Sequence, residues 1–219
     1  ELGEVEKTHA LLEAKFAHDQ RVVLHQHLAP LGKGAALQSA FLKTQYSAIA
    51  FIDADLPFDL AFLSQAQEAL GNGASLVVGN RRLASSRVHL PTKLLPSLFK
   101  RHVFGLLYNR AVRLMFGIKQ SDTQCGIKLM TREFATRLFC HLTCHGFSYD
   151  VEMFLLAQGH GDKVTSIPVT LMHDHDQSTL HLGGELVRSV KSLLHLKHKQ
   201  RRGVCTGRTQ APLSVHLSK

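Results

Sequence analysis

An α/β fold with a largely parallel sheet is what this sequence predicts, and three observations predict it. Short apolar runs alternate with helical stretches of ten or more residues, the pattern of strands joined by crossover helices. Two of those runs, "AIAFID" (48–53) and "SLVVGN" (75–80), have apolar interiors, as strands buried on both faces do. Each run also ends in polar residues, Asp53 and Asp55 after the first and Asn80 and Arg81 after the second. In such sheets ligands sit beyond the carboxyl ends of the strands.

The elements follow in chain order. Val5, Leu11, Leu12 and Phe16 give residues 5–17 the apolar face of an amphipathic helix. "RVVLHQH" (21–27) reads as a short strand, and 35–45 as a helix with Leu37, Ala40 and Phe41 at helical spacing. After the strand at 48–53, Pro57 opens a helix whose Leu60, Leu63, Ala66 and Leu70 share a face, and "GNG" (71–73) ends it. The strand at 75–80 leads into a polar stretch, 82–96, that reads as a mobile loop over the crevice. Residues 98–116 form a helix expected to turn Val103, Leu107, Ala111 and Leu114 inward and Arg101, Arg110 and Arg113 outward. A strand at 126–130, helices at 132–141 and 150–158, and a strand at 165–171 complete the body. Pro168 assigns that last strand to a sheet edge, where a missing N–H is tolerated. Three units are expected: a domain over 1–184, a basic amphipathic helix over 185–200, and a disordered tail over 201–219.

With 219 residues and 44% hydrophobic content, the chain can build one substantial core. No run reaches the roughly 18–20 apolar residues of a membrane-spanning helix. Four cysteines do not make a disulfide scaffold and favour a reducing compartment. The net charge of +9 favours anionic partners. Nucleic acid is not expected among them, because only 7% of residues are aromatic and none is Trp, which leaves few stacking platforms.

Two carboxylates in "DAD" repel unless a positive partner joins them. A hard divalent cation would do so and would grip phosphate oxygens as well. The other reading is acids decorating a helix N-terminus. "LGKGA" (31–35) sets Lys33 and Gly34 before a helix, where backbone amides and an ammonium could face an anion, or simply form a turn. Asp122, Thr123 and Gln124 make a polar knot between apolar elements. Cys125 reads as a small buried residue rather than a nucleophile. "CHLTCH" (140–145) fits no zinc-finger spacing, and "HDHD" (173–176) reads as a solvated turn.

Taken together, "GKGAALQSAF", "AIAFIDADLP", "LVVGNRR", "RHVFGLLYN", "SDTQCGIKLMTRE", "FSYDVEMFLLA" and "SIPVTL" resemble the GT-A family-two glycosyltransferases that make polyprenyl-phosphate sugars. Dolichyl-phosphate glucosyltransferases come first and the mannosyl enzymes second, and the likeness runs from about Leu31 to Ser178. It implies a three-layer GT-A sandwich with a mostly parallel sheet. It also implies Mg2+ or Mn2+ on Asp53 and Asp55, with Ala54 between them, gripping the donor diphosphate. Lys33, Gly34, Asn80 and Arg81 would complete the nucleotide-sugar site. Arg101 and Asn109 would hold the acceptor phosphate, while Asp122 and Gln124 would face the transferred sugar as catalytic residues. Asp150 and Glu152 match the family's Asp-x-Glu segment, and first-turn helix acids are the alternative. Departures are specific too. The family's first two strands have no counterpart, so an N-terminally truncated domain is expected. Pro57 stands where the mannosyl enzymes have Gln, and Ser178-Thr179 lacks the family's late lysine. The resemblance implies inverting transfer of a hexose from UDP-glucose to a polyprenyl or dolichyl phosphate. GDP-mannose is the second donor, and an inactive domain that only binds a sugar nucleotide or a partner is the rival. "RSVKSLLHLKHK" (188–199) is expected either to rest on an anionic membrane at the cytoplasmic face or to pack as an ordinary helix.

Overall fold

The computed structural model describes residues 2–27, 31–54, 58–89, 95–146, 148–172 and 182–201. Side chains are described within these ranges except at 2–5, 95–102, 172, 182–188 and 201. Seven helices and six strands are described: α1 (Leu2–Phe16), α2 (Lys33–Phe41), β1 (Ala48–Ile52), α3 (Ala61–Gly71), β2 (Leu76–Asn80), β3 (Arg87–His89), α4 (Leu95–Phe116), β4 (Ile127–Thr131), α5 (Arg132–His141), α6 (Tyr149–His160), β5 (Val164–Pro168), β6 (Thr170–Met172) and α7 (Leu182–Arg201).

Four strands form the main sheet in the order β1-β4-β2-β5. β4 runs antiparallel to both β1 and β2, and β2 and β5 are parallel. Three strands therefore share one direction, as a parallel-rich sheet requires, with β4 reversed among them. This reversal matters for function, because it brings the loop entering β4 between the carboxyl ends of β1 and β2. β3 and β6 pair separately and in parallel.

Alternation along the central strands divides the core. Leu76, Val78 and Met130 face Tyr108, Val112 and Phe116 of α4, Phe134 and Leu138 of α5, and Val151, Met153 and Phe154 of α6. Val77, Ile127 and Leu129 face Phe62 and Ala66 of α3. Helices thus cover both faces, and the three-layer α/β sandwich of the prediction is present. Leu193 and Leu196 of α7 belong to the first of these two cores.

Capping matches the chemistry of the ends. Thr131 accepts a hydrogen bond from Phe134 N–H at the start of α5. Gly161, at φ 70°, closes α6 in the left-handed conformation. Pro168 does lie on an edge strand of the described sheet.

Several sequence expectations are corrected. The segment 21–27 is not a strand, because no described strand lies beside it to take up its backbone groups. β1 is not buried on both faces: it is an edge strand of the described sheet, with Ala48 and Ala50 exposed. The polar stretch after Arg82 is not all loop, since it contains β3. The late strand divides into β5 and β6. In α1, Leu11 and Leu12 are exposed rather than packed. In α4 the inward face consists of Tyr108, Asn109, Val112 and Phe116, whereas Leu107 and Leu114 are 63% and 75% exposed. The helix carries apolar residues on all sides, so apolar spacing could not choose which stripe turns inward.

Candidate active site

Asp53 leaves β1 with its N–H donating to the Gly126 carbonyl at 3.0 Å. Its carboxylate lies across Gly126 so closely that a Cβ there would come within 1.8 Å of Asp53 Oδ2. Only glycine leaves room for this acid at the rim. Lys33, the first residue of α2, forms an ion pair with Asp53 Oδ1. Both side chains are about a third exposed, at 29% and 38%.

Of the two readings of "LGKGA", the amides of Gly34 and Ala35 follow the plain turn, since the protein itself takes them up. Gly34 N–H donates to the His145 carbonyl at 2.7 Å and Ala35 N–H shares it at 3.3 Å. A Cβ on Gly34 would meet the Cys144 carbonyl at 2.6 Å. Gly34 is thus a close-approach glycine that seats α2 against residues 144–145, and Lys33 alone of this segment reaches Asp53.

Across β4, Arg81 leaves β2 and clamps Asp122. Arg81 Nε donates to Oδ2 at 2.7 Å, its Nη2 to Oδ1 at 2.9 Å, and its backbone N–H to Oδ2 at 3.1 Å. Gln124 N–H also donates to Oδ1, at 3.2 Å. The Asp122 side chain is 1% exposed, the Arg81 side chain 36%. Burial opposes both charges, but the paired hydrogen bonds outweigh it: the Asp122 carboxyl is held below its ordinary value and the Arg81 guanidinium above its own. Arg81 also lies within electrostatic reach of Asp53.

The remaining predicted residues brace this turn. Asn80 is buried, donates to Ser121 Oγ at 2.8 Å and accepts from Arg82 N–H at 2.9 Å. Asn109 is buried in α4; turned with its amide oxygen toward Thr123, it accepts from Thr123 N–H at 3.0 Å and donates to the Ser121 carbonyl at 3.1 Å. Both contact the protein rather than open space. Gln124 is half-buried. Ala54 is exposed beside Asp53. Asp55, His173–Asp176, Ser178 and Thr179 lie outside the described residues, as does the side chain of Arg101. Burial raises the Cys125 thiol to about 11, which leaves it protonated at neutral pH.

Below the rim lies a group that reading the sequence did not assign to the site. Lys128, 1% exposed, donates to the Cys125 carbonyl at 2.6 Å and pairs with Asp150 Oδ1 at 2.7 Å. Its ammonium sits 4.9 Å from the Phe51 ring centroid and 5.9 Å from that of Tyr149. Burial, and then the charge of Asp150, hold the Tyr149 phenol well above its ordinary value. The available signal was a lysine inside the apolar run "GIKLM", since a lysine buried there demands a partner. Glu152, one turn into α6, accepts from Thr143 N–H, Cys144 N–H and Lys199 Nζ at 2.8–2.9 Å. It is a structural anchor rather than a first-turn ornament.

Residues 3–139 match the family model for glycosyl transferase family 2. Among curated relatives, "Dolichyl-phosphate beta-glucosyltransferase ALG5C" of Trichomonas vaginalis is 28% identical over 91% of this chain and 58% of its own length. The dolichyl-phosphate beta-glucosyltransferase of Saccharomyces cerevisiae is 27% identical over 76% of this chain and 52% of its own. "Glycosyltransferase AglD" of Haloferax volcanii is 28% identical over 75% of this chain and 25% of its own. The chain therefore spans between a quarter and three-fifths of the length of these relatives. Among solved structures, glucosyl-3-phosphoglycerate synthase from Mycobacterium tuberculosis with uridine-diphosphate superposes with a TM-score of 0.52 at 20% identity, covering 81% of this chain and 57% of that one. Its complex with Mn2+, uridine-diphosphate-glucose and phosphoglyceric acid gives 0.51 at 18% identity, with the same coverage.

Proposed function

The chain belongs to glycosyl transferase family 2, and from that premise we propose that it serves transfer of a hexose from a nucleotide sugar to a polyprenyl or dolichyl phosphate. UDP-glucose is the preferred donor in this reading. The glucosyltransferase names of its relatives support that donor, as does the uridine-diphosphate-glucose bound by a protein of the same fold. The observation that carries the reading is the Asp53–Lys33 pair and the Arg81–Asp122 clamp at the carboxyl ends of β1 and β2, on either side of the loop that enters β4.

The chemistry suits these residues. A lipid phosphate is already ionised at neutral pH, so its oxygen can attack the anomeric carbon without a strong general base. As that bond forms, the bond from the anomeric carbon to the donor diphosphate breaks and the diphosphate leaves with the electron pair. Lys33 and Arg81 offer positive charge to the leaving group, and Asp122 acts through Arg81 by fixing its guanidinium plane. Attack from the face opposite the leaving group inverts the anomeric centre, turning an α-linked donor into a β-linked product. Asp53 supplies a hard carboxylate oxygen at the rim that suits Mg2+ or Mn2+, with Asp55 as the second ligand. When bound, such a cation neutralises charge on the diphosphate. Arg101 is assigned to the acceptor phosphate. The enzyme works peripherally at the cytoplasmic face of a membrane.

The test is transfer of labelled hexose from UDP-glucose, with GDP-mannose as the competing donor, to polyprenyl phosphate in the presence of Mn2+ or Mg2+. Asp53→Asn is expected to lower transfer about 100-fold or more. Gly126→Ala should do nearly as much while folding persists, because the Asp53 carboxylate must move aside. Absence of labelled lipid with either donor would overturn the reading, and undiminished transfer by Asp53→Asn would remove the role of the acid.

A further inference from the structure

We propose that the outward face of α4 is a docking surface for an anionic phospholipid membrane. Val103, Leu106, Leu107 and Leu114 are 36%, 38%, 63% and 75% exposed on this one helix. Arg110 and Arg113 are exposed among them. On the opposite face of α4, Tyr108, Val112 and Phe116 lie in the core. An apolar stripe left in water on a helix that already has its core face is a surface that binds something.

Charge identifies the occupant. Over its 22 residues α4 contains no Asp or Glu, and the basic side chains described on its outward face are Arg110 and Arg113. Leucines interleaved with arginines and no acids are what an interfacial helix presents to acidic headgroups. The position of the helix is equally telling. Arg113 lies within electrostatic reach of Arg82, next in sequence to the Arg81 clamp. Asn109 ties the middle of α4 to the 121–123 turn. One side of the helix thus holds the site together while the other meets the membrane, which sets the site beside the phase that delivers a lipid-linked phosphate. This last step rests on the proposed function; the docking itself does not.

The C-terminal helix is a weaker candidate. Leu193 and Leu196 are buried, Lys199 is held by Glu152, and Lys197 donates to the Met115 carbonyl. Among its described side chains these apolar and basic groups are committed to the protein.

Co-sedimentation of the full chain with phosphatidylcholine vesicles, with and without phosphatidylglycerol, tests the proposal. Binding should require phosphatidylglycerol and weaken as salt rises. Leu107→Glu with Leu114→Glu should reduce it about tenfold or more, and Arg110→Glu by a comparable factor, whereas Leu194→Glu should not. Transfer to a short, water-soluble isoprenyl phosphate should survive the double leucine variant, because neither residue belongs to the site. Vesicle binding without any transfer would uphold the surface and sink the functional reading instead. Failure to bind phosphatidylglycerol vesicles, or equal binding by the double variant, would overturn the proposal. So would a dimer that the double variant converts to monomer without changing vesicle binding, since the face would then join two copies of this chain.

Discussion

Asp122, which the family resemblance assigns to the sugar side of the site, is engaged by the protein through both carboxylate oxygens. Its oxygens are taken by Arg81 and by Gln124 N–H, and almost none of the side chain meets water. Removing the charge strands a guanidinium designed around it, so Asp122→Asn should lower unfolding free energy by about 2–3 kcal/mol. The partial exposure of Arg81 keeps this at the lower end of what breaking a buried pair costs. The carboxyl is held below its reference value of 3.8 in the folded chain. Its stabilisation is therefore fully present above that value and lost as pH falls through the folded pKa. Urea midpoints measured from neutral pH down to acid should show a constant gap between wild type and Asp122→Asn that closes only below about 3.8. A gap that closed near neutrality would show that Asp122 is not the group responsible. Glu152, also lowered from its reference value, adds to the same acid limb.

At the scale of elements, the boundaries written in capping chemistry were legible and the facing of helices was not. The Gly-Asn-Gly end of α3 gave its element away locally. α4 did not, because Leu107 and Leu114 compete with Tyr108, Val112 and Phe116 for the inside, and only the tertiary fit decides between them. The C-terminal helix presented the same ambiguity: leucines among lysines serve a membrane or a core equally well. Here Leu196 is wholly buried while Leu194 is 60% exposed. Leu196→Ala should cost about 2–4 kcal/mol, and Leu194→Ala should stay within about 0.5 kcal/mol of wild type. Equal, small effects in chemical denaturation would mean that α7 does not pack where it is described. The site divided similarly. Asp53 and Arg81 were visible because strand ends announce themselves, whereas the Lys128–Asp150 pair joins residues 22 positions apart and had only an out-of-place lysine to betray it.

For the molecule as a whole, the sheet explains both what was read and what was misread. "AIAFI" has no polar alternation, which is how a strand covered on both sides is written, yet β1 stands at the edge of the described sheet. Its register with β4, together with the bond from Asp53 N–H to the Gly126 carbonyl, fixes which amides point where. Asp53, Phe51 and Ile49 donate toward β4, so the N–H groups of Ala48, Ala50 and Ile52 point away from the sheet. No described strand receives them. β2, by contrast, is buried at every residue between β4 and β5. Native-state hydrogen exchange should therefore divide β1 by parity. Ala48, Ala50 and Ile52 are expected to exchange at least about a hundredfold faster than Val77 and Leu129, with Ile49 and Phe51 in between. The same open edge invites a further strand, and pairing would protect just those three amides while leaving Ile49 and Phe51 little changed. Uniform protection along β1 in the isolated chain, with no difference between odd and even positions, would mean that another segment already lies against this edge, and that Asp53 has a neighbour the described residues do not supply.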